Sequence, residues 1–248
     1  MRINGRKEEE GKPLIHRPIY SPIAHWLGDG SLSEEIEGVK DYSLTTAAGT
    51  IKYGPGIDGR LAFYFNGADR LTLANTTDKA DFQNIEMTVA MWYQSPVNAS
   101  QMPFAISSPT DIDANDNDVF NMRLASTGEK TIIGLGHDVA DRAAGARGTD
   151  KALLYSRGFT HLILRRSGTG ATQTFRGYIH GAPAWTAGDS STITKVVPGS
   201  NSLPYFGGHA AGGSLFTGIL QSIMLWNTAL TDAQMKEIVR SVGVEVIQ

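Results

Sequence analysis

Apolar and polar residues alternate with a period of two along most of this chain. In "NIEMTVAMWYQ", Ile85, Met87, Val89, Met91 and Tyr93 share one face, and Glu86, Thr88, Ala90 and Trp92 share the other. A period of two is the mark of a strand. "RLAFYFNG" sets Leu61, Phe63 and Phe65 on one side, and "KTIIGLG", "THLILRRSG" and "TFRGYIHG" continue the series. The series closes on "GILQSIMLW", where Ile219, Gln221, Ile223 and Leu225 are expected to point one way and Leu220, Ser222, Met224 and Trp226 the other. Both sets are largely apolar, which predicts a strand covered on both faces. Trp92 and Trp226 are expected inside the sandwich core. Turn signals such as "GPGIDG", "NGAD", "SGTGA", "HGAP" and "GGHAAGG" separate the strands.

One segment changes period. Thr231 is a good N-cap, Gln234 completes a capping box, and Asp232 suits the positive end of a helix. Leu230 and Met235 are placed to form a hydrophobic staple, and Met235, Ile238 and Val239 make a short apolar stripe. Gly243 is the expected stop. A short helix over about 231–240, pinned to the sheet, is therefore predicted. Residues 1–22 read as an extended arm, because Pro13, Pro18 and Pro22 disfavour both helix and central strand. No repeat or linker divides the rest. The expected fold is all-β, an antiparallel two-sheet jelly-roll sandwich over residues 23–248 with an N-terminal arm and one C-terminal helix.

Composition narrows the chemistry. The 248 residues are 41% hydrophobic and 19% charged, ordinary for a folded domain, and the 28 glycines suit many short strands joined by turns. A net charge of −3 gives no basic field for nucleic acid. The absence of cysteine removes disulfides, thiolate metal sites and a Cys nucleophile together. The N-terminal stretch has no signal-peptide core, and no segment is apolar over enough residues to span a bilayer. Synthesis in a cytoplasm without membrane insertion is the expectation.

Catalytic patterns are missing. A glycosidase needs two carboxylates roughly 5–9.5 Å apart, and Glu86 is the lone acid on the best candidate strand. There is no Gly-x-Ser-x-Gly elbow, Walker loop or His-Glu-x-x-His. The six histidines show no metal-ligand spacing, and His161 and His180 read as partly buried or surface residues on strand faces. The acidic stretch "DIDANDND" offers Asp111, Asp113, Asn115, Asp116 and Asp118, but a calcium loop would want Gly where Asp116 stands and Glu where Met122 stands. It reads as a solvated loop, so no metal and no cofactor are expected. Trp185 and Tyr205, both beside turns, are the aromatic rings expected to stack on a sugar.

Five motifs in order resemble the laminin-G-like, concanavalin A-like jelly roll. "GPGIDGRLAFYFNGADRLTL" is similar to that group's Gly-rich turn and strand, and "NIEMTVAMWYQ" to its strand ending in Trp. "FTHLILRRSG" and "TFRGYIHGAPAW" are similar to its paired strands, and "FTGILQSIMLWNTALTDAQMKEIV" to its closing strand and helix. Gln221 and His180 stand where the family often has carboxylates, which weakens a calcium-dependent lectin reading. Ordering an arm costs on the order of 1–2 kcal/mol per residue, so a Pro-spaced arm needs a surface to lie on. Together with the fold resemblance, this implies a non-catalytic structural protein of a bacteriophage virion, either capsid decoration or a tail or head fibre component. Its partners would be other virion proteins and further copies of itself. Leu14, Ile15, Ile19 and Tyr20 would be its apolar anchors and Arg2, Arg6 and Arg17 its polar contacts. The alternative is a lectin-like module that binds a cell-surface glycan.

Overall fold

A computed structural model of the chain describes residues 20, 22–33, 40–77, 79–82, 86–96, 101–107, 118–124, 131–134, 146–147, 158–168, 173–183, 192–193, 202–210, 212 and 215–241. The first strands are β1 (Ala24–Trp26), β2 (Leu44–Ala48), β3 (Lys52–Pro55), β4 (Leu61–Asn66) and β5 (Arg70–Leu73). Then follow β6 (Met87–Gln94), β7 (Gln101–Ser107), β8 (Asp118–Leu124), β9 (Thr131–Gly134), β10 (Ala146–Arg147) and β11 (Thr160–Ser167). The last are β12 (Gln173–Ile179), β13 (Ala182–Pro183), β14 (Thr192–Ile193), β15 (Leu203–Phe206) and β16 (Thr217–Trp226), and helix α1 spans Asp232–Ser241.

Two antiparallel sheets form a sandwich. The nine-stranded sheet runs β13-β12-β11-β6-β16-β4-β3, with β1 paired to β16 and β14 to β12. The seven-stranded sheet runs β10-β9-β8-β7-β15-β5-β2. Between them lies one core, to which β6 contributes Met87, Val89, Met91 and Tyr93, and β11 contributes Leu162 and Leu164. The alternation read from the sequence is thus the inner face of the first sheet.

A second, smaller core lies outside that sheet. Ala90, Ile163, Tyr178, Met224 and Trp226 pack there against Leu230, Met235, Ile238 and Val239 of α1 and its approach. This is why β16 is apolar on both faces. The capping box is formed: Thr231 N donates to Gln234 Oε1 at 2.8 Å, and Gln234 N donates to Thr231 Oγ1 at 3.3 Å. The expected stop, Gly243, lies outside the described residues.

Two expectations are corrected. The simple alternation along β16 fails, because a bulge shifts its register against β6 between Gln221 and Met224 and Ser222 adopts φ +48°. Leu220, Ile223 and Leu225 therefore share the inner core, while Met224 and Trp226 face α1. Trp92 and Trp226 are not in the inter-sheet core either. Trp226 lies under α1, and Trp92 packs on the same outer face against His161 and His180.

Candidate functional site

The outer face of the nine-stranded sheet is organised in rows. Register places Lys52 of β3 opposite Tyr64 of β4, Tyr64 opposite Ile219 of β16, and Ile219 opposite Gln94 of β6. Directly opposed residues of an antiparallel pair share a face, so these four form one line across it. Tyr64 is 38% exposed, and it and Leu61 are the large apolar side chains exposed among the described residues. The next two rows are covered. Gln221, Trp92 and His161 form the first of them, and α1 lies over the row after that.

Local sequence explains the open row. Phe63 and Phe65 must point into the core, so Tyr64 between them points out. β3 is the edge strand on that side, and Lys52 stays exposed there. The turn between β3 and β4 folds back beside the row, where Gln221 Oε1 accepts a 2.8 Å hydrogen bond from Ile57 N. A Cβ on Gly56 would overlap the Gln221 side-chain amide and push it out of this hydrogen bond.

At the sandwich rim, Arg70 holds the Gly-rich turn. Its Nη1 donates to the carbonyls of His209 and Ala210 at 2.7 and 2.8 Å, and Ala210 N donates to Ser107 Oγ at 3.0 Å. Asp69, almost fully buried, accepts from Thr50 N at 2.9 Å and Asn66 N at 3.3 Å. These polar groups serve the turns that they fasten.

The sequence-predicted residues are placed as follows. Tyr205 lies in β15, opposite Thr72 and Ala105, and only 6% of it is exposed. Burial pushes its hydroxyl pKa up, against the lowering effects of Thr72 and Arg70. A ring so covered has no face left for a sugar, which corrects that expectation. Trp185 lies outside the described residues, as do Arg2, Arg6, Leu14, Ile15, Arg17, Ile19 and the loop residues Asp111, Asp113, Asn115 and Asp116. Asp118 pairs with Ser107 at the start of β8. Tyr20 is held by its own domain: its carbonyl accepts from Trp226 Nε1 at 3.1 Å, and its hydroxyl donates to Glu237 Oε2 at 3.4 Å. Glu86 accepts from Gly168 N at 3.4 Å, fastening a turn. Among the described residues no group of three or more His, Asp or Glu side chains is placed to hold a metal.

His161 is the other departure. It is fully buried, not partly buried or at the surface, and among the described residues neither ring nitrogen has a hydrogen-bond partner. Burial, with a smaller contribution from His180, pushes its pKa down to about 3. Tyr64 was missed by the sequence reading, although its signal was there: it alternates with Phe63 and Phe65.

The family model described as the concanavalin A-like lectin/glucanases superfamily matches residues 65–236. The chain belongs to that superfamily, and the two-sheet sandwich is consistent with it. Among solved structures, it is similar to domain 4 of AbnA, an extracellular arabinanase from Geobacillus stearothermophilus, in complex with arabinotriose. That similarity has a TM-score of 0.63 and 19% identity over 88% of this chain and 98% of that one. A structure of botulinum neurotoxin type C, whose cell entry depends on interaction with two ganglioside molecules, matches with a TM-score of 0.58 and 10% identity over 89% of this chain and 52% of that one. Trypanosoma rangeli sialidase matches with a TM-score of 0.58 and 13% identity, over 87% of this chain and 32% of that one. The chain therefore spans about half of the neurotoxin chain and a third of the sialidase chain. No curated protein matches it in sequence.

Proposed function

We propose that this chain is a non-catalytic carbohydrate-binding domain whose glycan lies on the outer sheet face around Tyr64. The observation that carries this reading is the exposed Tyr64 ring, set between Lys52 and Ile219 on the outer sheet face. A phenol ring offers an apolar plane to the C–H face of a sugar while its hydroxyl stays hydrated. The Lys52 ammonium beside it can donate to sugar oxygens. The arabinotriose complex of a similar domain supports the reading at the level of fold. A binding role is supported by the composition of the row, since Lys52, Tyr64, Ile219 and Gln94 include no carboxylate and glycoside cleavage calls for two.

The test is a glycan array that includes arabino-oligosaccharides and sialylated glycolipid headgroups, probed with the native protein and with Tyr64→Ala. Binding to one glycan class, lost in the variant, supports the reading. Binding unchanged in Tyr64→Ala contradicts it.

A second reading concerns where the domain works. The chain serves as a virion structural protein, made in the host cytoplasm and self-associating, with residues 1–22 as its attachment arm. The observation that favours this is the anchoring of Tyr20 and β1 to β16 and α1, which fixes where the arm joins the sandwich. Tyr20 would then be the root of that arm. Light scattering on the full chain and on a version lacking residues 1–22 tests it. An assembly that becomes a folded monomer on truncation supports the role, and equal mass counts against it.

A further inference from the structure

The buried His161 faces a second histidine. His180 N donates to His161 O at 2.9 Å, extending the β11–β12 register so that the two histidines are directly opposed. Both rings lie against the indole of Trp92, with centroids at 4.8 Å for His161 and 5.9 Å for His180. Both are therefore on the outer sheet face, and they are close enough for the charge of one to depress the pKa of the other. His161 Nδ1 and Nε2 and His180 Nδ1 are buried without any hydrogen-bond partner. Buried polar nitrogens are ordinarily satisfied, and three without a partner in one cluster call for an occupant.

The geometry points to a transition-metal chelate, in which His161 and His180 together ligate a divalent ion of the zinc, nickel or copper class. Imidazole nitrogen suits these ions. Opposed residues in a hydrogen-bonded antiparallel pair have Cα atoms about 5.5 Å apart, and two imidazoles on one face can both reach an ion at metal–nitrogen distances of about 2.0–2.1 Å. Water completes the coordination shell. Access is from the His180 side, since that residue is only half-buried whereas Trp92 and His161 are covered. The backbone fits the role: His180 adopts φ +48°, which turns the chain tightly into Gly181, and Gly181 packs on Val239 of α1. A bound ion would clamp the β12–β13 turn beneath the helix.

The test uses tag-free full-length protein with Zn²⁺ followed by thermal shift and Ni²⁺ followed by tryptophan quenching. The native chain is expected to gain Tm with Zn²⁺ and to lose Trp92 fluorescence with Ni²⁺, both saturably. His161→Phe keeps a ring against Trp92 without nitrogens, and His180→Asn tolerates the positive φ. Each is expected to weaken both responses by about ten-fold or more, a difference of about 1.4 kcal/mol. No response at about 1 mM of either ion, a concentration at which even a weak site of about −4 kcal/mol half-fills, overturns the inference. So does an undiminished response in both variants, which would mean another ligand set. If His161→Phe fails to fold, His180→Asn at the accessible end decides alone.

Discussion

Asp232 Oδ1 accepts a 2.7 Å hydrogen bond from Arg165 Nη1 and a 2.9 Å bond from the Tyr178 hydroxyl, so the first residue of α1 is tied to β11 and β12 at once. Arg165 also donates to Leu230 O at 3.0 Å and lies over the Tyr178 ring. The helix is thus held by charge at its N-terminus and by apolar packing along its length.

Loss of this carboxylate should loosen the helix. Burial alone would raise the Asp232 pKa, but the bonds from Tyr178 and Arg165 and the charges of Arg165 and Arg176 hold it below the ordinary carboxylate value. A depressed folded pKa stabilises above the unfolded value and is lost as pH falls through the folded one. Because Asp232 is half exposed, its share is discounted to about 1 kcal/mol or less. Asp232→Ala should lower Tm by about 2–4 °C at neutral pH, and by less at an acid pH at which the native carboxylate is itself protonating. An equal drop at both pH values would exclude the ionic account.

Gly218 opens β16 at φ +152°, where a Cβ would overlap the carbonyl oxygen of Gln94 on the neighbouring β6. Here the contact is with backbone and cannot be relieved by a rotamer change. Gly218→Ala should cost about 2–3 kcal/mol or more, seen as a lower urea midpoint with unchanged slope. A midpoint equal to that of the native protein would show that β6 and β16 can part without penalty.

Much of this architecture was legible in the residues. The alternation in "NIEMTVAMWYQ" separates Met87, Val89, Met91 and Tyr93 from Ala90, as the two cores do, and Thr231 with Gln234 caps α1 as read. What failed were features that depend on distant partners. A period of two cannot reveal the Ser222 bulge, which arises where β1 meets β16 and where His25 Nε2 lies 3.0 Å from Ser222 Oγ. Nor does an isolated turn signal show that Tyr205 will be covered, because its burial comes from strands and loops far away in sequence. Tyr64 was readable by the same alternation that placed Phe63. A search for sugar platforms beside turns does not reach it, because Tyr64 lies within a strand.

Acid should weaken the fold before its carboxylates titrate. Burial pushes the His25 pKa down to about 4 from an ordinary 6.5. The unfolded chain takes up this proton below about pH 6.5, whereas the folded chain does so only near 4, so stability falls as pH drops across that window. Above about 6.5 the group has no effect on stability. The slope is at most about 1.4 kcal/mol per pH unit for this one group, and buried His161 acts in the same direction. His25→Gln should flatten part of the Tm decline between those pH values. A decline as steep as that of the native protein would remove His25 as a cause.

The central claim is that Tyr64 forms a sugar-binding platform, and isothermal titration of the array-selected glycan into native protein and Tyr64→Ala tests it most directly. Loss of one stacking ring from an exposed face should weaken binding by about ten-fold or more, while Tm changes little because the ring lies outside both cores. Equal affinity in the two proteins would contradict the account and move the binding surface elsewhere on the sandwich.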